Sequence, residues 1–207
     1  PFTEVHHMSQ IAPLIPRQPA PELNVETVGK GTWKMSEQSP ENFTLVVFFR
    51  GLHCPICANY LRDLQRNLGD FDKHGVNVIA ISSDSKERAE KSAEDWGLDE
   101  LTLGYGLDLD TARRWGLFVS TGRGPTSSGI EETRLFSEPG LYLIRPDSTL
   151  YFGSVQTMPF SRPSFADILN GVKFVLEKDY PARGQVVDHG HPKDSAYDWP
   201  SADYNPQ

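Results

Sequence analysis

Cysteine is scarce in this sequence. The 207 residues include two, Cys54 and Cys57, three positions apart. A disulfide scaffold needs more cysteines at wider spacing. A bridge across C-x-x-C closes too small a loop to contribute much stability through chain entropy. Reactivity therefore explains the pair better than stapling does. Long apolar runs are also lacking: the longest, Leu45 to Phe49, falls far short of the roughly 20 residues that span a bilayer. No membrane segment is expected. Positive charge is in deficit, with 20 Lys and Arg against 28 Asp and Glu, a net charge of -8 and a pI near 5.2. An acidic surface without a basic run repels phosphate backbones, so no nucleic-acid partner is expected. Residues 1–10 show no basic segment leading into an apolar stretch, so no secretory signal is read there and a cytoplasmic location is expected. No internal repeat is present.

What remains suits one domain with extensions, since 38% of residues are hydrophobic and 23% charged. Residues 1–22 carry Pro13, Pro16, Pro19 and Pro21 and read as an irregular arm. Residues 23–180 read as the folded domain and 181–207 as a polar tail with Trp199 and Tyr204 as isolated anchors. Leu23 to Val28 and Thr32 to Met35 form a hairpin around Gly29-Lys30-Gly31. Thr44 to Phe49 is a continuous β-prone run, expected to be a central strand buried on both faces. After it, Ile56, Tyr60, Leu64, Leu68 and Phe71 recur at helical spacing. Val76 to Ser82 is a second buried strand. Asp84 and Ser85 are candidate caps for a helix over 86–96, with Ala89, Ala93 and Trp96 inward. A short strand over 101–105 and a short helix over 109–115 follow. Residues 119–138, rich in Gly, Ser, Thr and charge, read as a long loop. Gly140 to Ile144 and Thr149 to Val155 make a hairpin. Ser164 to Lys178 is an amphipathic helix with Phe165, Ile168, Leu169, Val172, Val175 and Leu176 inward. Trp33, Trp96 and Trp115 are expected in core or edge packing. The order implies an α/β fold, a central mixed sheet flanked by helices, with Thr44–Arg50 beside Val76–Ser82 in the middle.

Cys54 stands where the central strand ends and a helix begins. Free backbone N–H groups and the positive end of the helix dipole favour a thiolate there. Pro55 fits the first helical position, and Cys57 lies one turn on, within reach for a disulfide. Such placement lowers a thiol pKa well below about 8.5. His53 and Arg50 add positive charge if their side chains turn toward the sulfur. His189 and His191 could complete a Cys2His2 zinc set, though some 130 residues separate them from the pair. His6 and His7 read as solvated.

Pro19-Ala20-Pro21-Glu22-Leu23, Phe43 to Cys57, Gly75 to Asp84 and Gly140 to Pro146 resemble the AhpC/TSA peroxiredoxin-like family of the thioredoxin superfamily, over about residues 19–180. The resemblance implies a thioredoxin-like fold and makes Cys54, in its Cys-Pro step, the nucleophile toward a peroxide oxygen or a disulfide sulfur. The family carries Pro seven residues and Thr or Ser three residues before that cysteine; here stand Val47 and Gly51. The family's active-site Arg precedes a Gly-Leu-Phe-like strand; here Pro139 precedes Gly140-Leu141-Tyr142 and is similar to the cis-proline of thioredoxins. A cis Glu138-Pro139 bond is therefore expected, and Arg50, His53 or Arg162 would have to supply the missing donor. These departures tilt the site toward disulfide exchange.

The leading expectation is a thiol oxidoreductase, peroxiredoxin-like or thioredoxin-like. Cys54 attacks and Cys57 resolves, with Pro139, His53 and Arg50 in support and no cofactor. It would reduce peroxides or protein disulfides and draw electrons from an external thiol or a thioredoxin-type donor. The arm and tail could wrap a neighbouring subunit in a homodimer. The alternatives are a copper chaperone using the same cysteines and a non-catalytic interaction domain that keeps the fold.

Overall fold

Six consecutive residues, Phe43–Phe48, are all buried, and the fold is arranged around this strand (β3). β-branched and aromatic side chains without a polar alternation specify a strand covered on both faces. The structure, a computed structural model, describes residues 11–187; His6, His7, His189, His191, Trp199 and Tyr204 lie outside them. Preceding β3 are the hairpin strands β1 (Asn24–Thr27) and β2 (Gly31–Lys34). Following it are α1 (Pro55–Arg66), α2 (Leu68–Lys73), β4 (Val76–Ile81), α3 (Lys86–Trp96), β5 (Leu103–Tyr105) and α4 (Leu109–Arg114). The remaining elements are β6 (Val119–Thr121), β7 (Leu135–Ser137), β8 (Gly140–Ile144), β9 (Leu150–Val155) and α5 (Phe165–Lys178).

The main sheet runs β2-β1-β5-β4-β3-β8-β9. β3 pairs parallel with β4, Val46 opposite Ile79, and antiparallel with β8, Val46 opposite Tyr142. The expected mixed sheet with these strands at its centre is thus what forms. Alternation along β3 divides the core in two. Leu45 and Val47 pack with Leu61, Leu64, Phe165 and Val172 of the α1 and α5 layer. Val46 and Phe48 pack with Leu23, Trp115, Leu117 and Tyr142 on the other face. Helix starts carry side-chain caps: Ser85 on α3, Asp108 on α4 and Ser164 on α5 each accept an N–H three residues on. Residues 11–22 lie on the sheet edge without regular structure. Arg17 N–H donates to the Leu150 carbonyl, and the Arg17 side chain reaches the Ala182 carbonyl at 2.8 and 2.6 Å. Among the described residues no helix is long and apolar enough to cross a membrane.

Three expectations need correction. In the helix after Cys54, Leu64 and Phe71 are buried and Tyr60 and Leu68 half-buried against the core, but Ile56 at the head of the apolar spacing is 46% exposed, its place inward taken by Cys57, Ala58 and Leu61. The helix also breaks at Asn67, whose side-chain amide donates to the Asp63 carbonyl while its backbone N–H bonds Leu64; that competition ends the helical ladder. In α5, Leu176 is exposed rather than inward. The segment 119–138 holds a two-stranded ladder, β6 against β7. Three-residue strands are too short to show a period, and the glycines read as loop. Gly122 is instead required by close approach, because a Cβ there would lie 2.4 Å from the Thr133 carbonyl oxygen.

Trp115 stacks between Phe48 at 5.5 Å and Tyr142 at 5.1 Å, and its carbonyl accepts the Tyr142 hydroxyl. Trp115→Ala should therefore destabilise the fold by about 3–5 kcal/mol. Urea unfolding measures this; a loss below about 1 kcal/mol would show that this second core is not close-packed.

Candidate active site

The turn from β3 into α1 is held by one carboxylate. Phe49 N–H still bonds the Ile81 carbonyl, and the chain then leaves the sheet through Arg50-Gly51-Leu52-His53. At the end of β4, buried Asp84 accepts the Leu52 N–H at 2.7 Å and the Arg88 Nε–H at 3.0 Å. Ser85 alone caps α3, so Asp84 does not serve there as the sequence suggested. Gly51 has φ +137°, and a Cβ on it would lie 2.7 Å from both Asp84 oxygens. The position where the related pattern has a hydroxyl therefore has no room for a side chain.

That turn sets Cys54 as the N-cap of α1. Its Sγ accepts the Cys57 N–H at 3.2 Å, and Pro55 occupies the first helical position. Cys54 and Cys57 are disulfide-bonded, with Cα atoms 5.2 Å apart. Cys54 is 3% exposed and Cys57 is sealed at 0%. Arg162, from the loop before α5, donates from Nη1 to Cys57 Sγ at 3.5 Å. Its guanidinium lies 4.1 Å from the Tyr60 ring centroid, and its Nη2 is buried without a partner. Burial pulls this guanidinium down to about 10, which leaves it a cation at neutral pH. Tyr60 fixes the loop by donating its hydroxyl to the Pro163 carbonyl at 2.5 Å and stacking on Phe165 at 4.3 Å.

The other expected site residues are arranged differently. Arg50 is committed to Glu138, a carboxylate 1% exposed, through two N–H···O bonds of 2.9 Å, and lies over the Phe136 ring. Ser120 donates a further bond to Glu138 at 2.6 Å. His53 is fully buried, its ring 4.6 Å from that of Phe136. Its Nδ1 lies 3.4 Å from Arg88 Nη2, which can only donate, so Nδ1 accepts and Nε2 carries the proton; Nε2 has no partner. Arg88 also donates to the Glu131 carbonyl, tying the β6–β7 excursion to the site. The Glu138-Pro139 bond is trans, contrary to expectation. Glu138 N–H bonds the Phe118 carbonyl and the Pro139 carbonyl accepts Gln156 N–H, so this segment runs extended into β8.

Sequence reasoning missed Glu138 and the arginine-binding role of Asp84. The available signal for Glu138 was an acid between two apolar runs, Leu135-Phe136 and Leu141 to Ile144. A cleft of about 350 Å³ flanks the Cys54 turn, lined by Leu52, Pro55, Ala58, Asn59, Arg62 and Ile130 among others. Among the described residues no group of three His, Cys, Asp or Glu could hold a metal ion. The cysteine pair thus gains no further ligand among these residues, and His189 and His191 of the zinc reading lie outside them.

Burial lowers the pKa of His53 below its ordinary 6.5; Asp84 and Glu132 oppose this, while Arg88 and Arg50 add to it. The unfolded chain therefore binds a proton at this residue before the native state does. His53's neutral form stabilises the fold above pH 6.5, and that contribution is lost as pH falls below 6.5. His53→Gln should flatten the acid-side slope of stability by up to about 1.4 kcal/mol per pH unit. Parallel denaturation of the two oxidised proteins between pH 7 and 5 checks this; superimposable slopes would refute it.

No curated protein matches the chain significantly. Solved structures share its fold. Peroxiredoxin 6 of Arenicola marina, as a cysteine mutant, is 18% identical, with 79% of this chain and 74% of that one covered at a TM-score of 0.65. The reduced 2-Cys peroxiredoxin of Plasmodium vivax is 16% identical, covering 81% and 84%, with a TM-score of 0.64. Peroxidoxin BcpB from Mycobacterium tuberculosis is 15% identical, covering 78% and 98%, with a TM-score of 0.61. Residues 16–152, most of the sheet and the whole β3–α1 turn, match the AhpC/TSA family. The chain belongs to the AhpC/TSA family and is a peroxiredoxin-like thiol oxidoreductase.

Proposed function

We propose that Cys54 is the attacking thiol and Cys57 the resolving one in peroxide reduction. One observation carries this: Cys54 Sγ caps α1 and accepts a backbone N–H, on the residue of the pair that keeps any exposure. In the reduced protein the same N–H and the helix dipole favour a Cys54 thiolate. The thiolate attacks a peroxide oxygen, the O–O bond breaks, and the leaving oxygen takes a proton to depart as water or an alcohol. Cys54 becomes a sulfenic acid. Cys57 then attacks Cys54 Sγ, water leaves, and the disulfide forms. An external thiol or thioredoxin-type donor restores the dithiol by exchange. In this reading Arg162, which donates to Cys57 Sγ, supplies the positive charge beside the pair, the role the sequence left open among Arg50, His53 and Arg162. Pro139 and Arg50 act in support by fixing the segment that carries Glu138, and His53 by packing under the turn. Cytoplasmic thiols suit this cycle, and a homodimer is compatible with it.

The hydroxyl donor is absent at Gly51. Loss of one transition-state donor typically costs a factor of about 10²–10³ in rate. We expect hydrogen peroxide to oxidise the reduced protein slowly by that margin, Cys54→Ser to abolish oxidation, and Cys57→Ser to retain the first oxidation and accumulate sulfenic acid. Stopped-flow oxidation and mass mapping after alkylation at mildly acidic pH test this. Peroxide oxidation that survives Cys54→Ser, or alkylation that labels Cys57 first, would refute the assignment.

A further inference from the structure

Of the cations around the cysteine pair, Arg50 is paired with Glu138 and Arg88 with Asp84. Arg162 stands apart. Among the described residues no carboxylate lies within ion-pair distance of it, and its Nη2 is buried without a partner. Its Nη1 donates to Cys57, the resolving sulfur, rather than to the sulfur that meets peroxide. Tyr60 holds it there, with its ring against the guanidinium and its hydroxyl on the carbonyl of the next residue, Pro163. A buried cation without a counter-ion is costly, so the arrangement fits a negative charge that arises on Cys57 during the cycle. While both thiols are reduced, Cys54 takes the charge, because two adjacent thiolates repel each other. Oxidation of Cys54 to a neutral sulfenic acid lifts that repulsion and leaves sealed Cys57 facing Arg162. Burial raises a thiol pKa and an opposite charge in contact lowers it. The other groups nearby add little: burial keeps the Tyr60 phenol neutral and His53 uncharged, while Arg50 and Glu138 act on Arg162 with opposite signs.

We propose that Arg162 is a catalytic residue of the second step: it holds Cys57 as the attacking thiolate once Cys54 is a sulfenic acid, and so sets how much peroxide the protein withstands before Cys54 is over-oxidised. The proposal rests on the peroxide reading above and deepens it. The sulfenic acid has two fates. In the first, Cys57 releases its proton to solvent and its thiolate attacks Cys54 Sγ. The S–S bond forms, the S–O bond breaks, and the hydroxide takes up a proton and leaves as water. In the second, another peroxide transfers an oxygen to Cys54 Sγ. Its O–O bond breaks, the sulfur is oxidised to a sulfinic acid, and water or an alcohol departs. Only the second fate speeds up with peroxide concentration. The thiolate is the nucleophilic form, so a lower Cys57 pKa favours the first. The gain is about threefold for each pKa unit, because intrinsic nucleophilicity falls as the thiolate fraction rises.

Two measurements test this. In Cys54→Ser protein Cys57 is the remaining thiol, and its ultraviolet thiolate absorbance follows its ionisation with pH. The midpoint should lie below about 8.5. Adding Arg162→Gln should raise it by about one unit or more, and Arg162→Lys, which keeps the charge, should raise it less. Reduced proteins with both cysteines are then treated with increasing hydrogen peroxide, alkylated and weighed. Arg162→Gln should reach half conversion to sulfinic acid at a peroxide concentration lower than wild type by about threefold or more, with Arg162→Lys between them. A midpoint that ignores Arg162→Gln overturns the proposal. So does an Arg162→Gln protein that withstands as much peroxide as wild type, even if its first oxidation is slower; that result would assign the cation to Cys54. Reduced wild-type protein that peroxide leaves unoxidised overturns the peroxide reading and the proposal together. Oxidation to the disulfide with an unmoved Cys57 midpoint overturns the proposal alone.

Discussion

The site depends on a strand with no exposed face. β3 is buried over its whole length and held by β4 and β8, so it cannot shift register without moving both cores. Its C-terminal end is therefore a fixed point, and Arg50 to Cys54 leave the sheet at a determined place. Asp84 follows the neighbouring strand β4 by three residues and reaches across to the Leu52 N–H. The two central strands together thus define the turn. This is the rigidity a reactive side chain needs, because a thiolate displaced by about an ångström loses much of its advantage.

Around that turn the protein keeps charge in pairs. Burying Arg50 with Glu138 and Arg88 with Asp84 avoids isolated charges in a low-dielectric interior, and each carboxylate has a second donor, Ser120 or the Leu52 amide. His53 sits among these groups as a neutral ring. Arg50 and Arg88 are each paired with a carboxylate, and the cation that hydrogen-bonds the cysteine pair is Arg162. Proximity in sequence misleads here: Arg50 stands four residues and His53 one residue before Cys54, yet Arg162, from beyond β9, is the one in contact with the pair.

Much of the sheet was legible because its signals are local. The apolar runs at 43–48 and 76–81, the Ser and Asp caps and the Gly-rich hairpin turn each mark an element without reference to distant residues. The N-cap position of Cys54 was legible for the same reason. What was hidden depends on partners far along the chain. The inward face of α1 is set by packing on residues such as Phe165 of α5, which meets Tyr60, so the periodic pattern was right for Tyr60 and Leu64 but not for Ile56, which its first turn leaves exposed. The trans Glu138-Pro139 bond follows from hydrogen bonds to Phe118 and Gln156. Glu138 as a partner for Arg50 could not be found from a list of charges, since the two lie 88 positions apart.

The close approach of the Asp84 carboxylate to Gly51 couples the two positions sterically. A hydroxyl-bearing residue at 51 requires the carboxylate at 84 to retreat, and a retreating carboxylate releases the Leu52 amide and the Arg88 cation together. Neither site can drift alone without passing through a strained or uncompensated intermediate. Glycine at 51 and aspartate at 84 should therefore appear or disappear as a pair across descendants of this chain, and a comparison that scores each column separately would miss why.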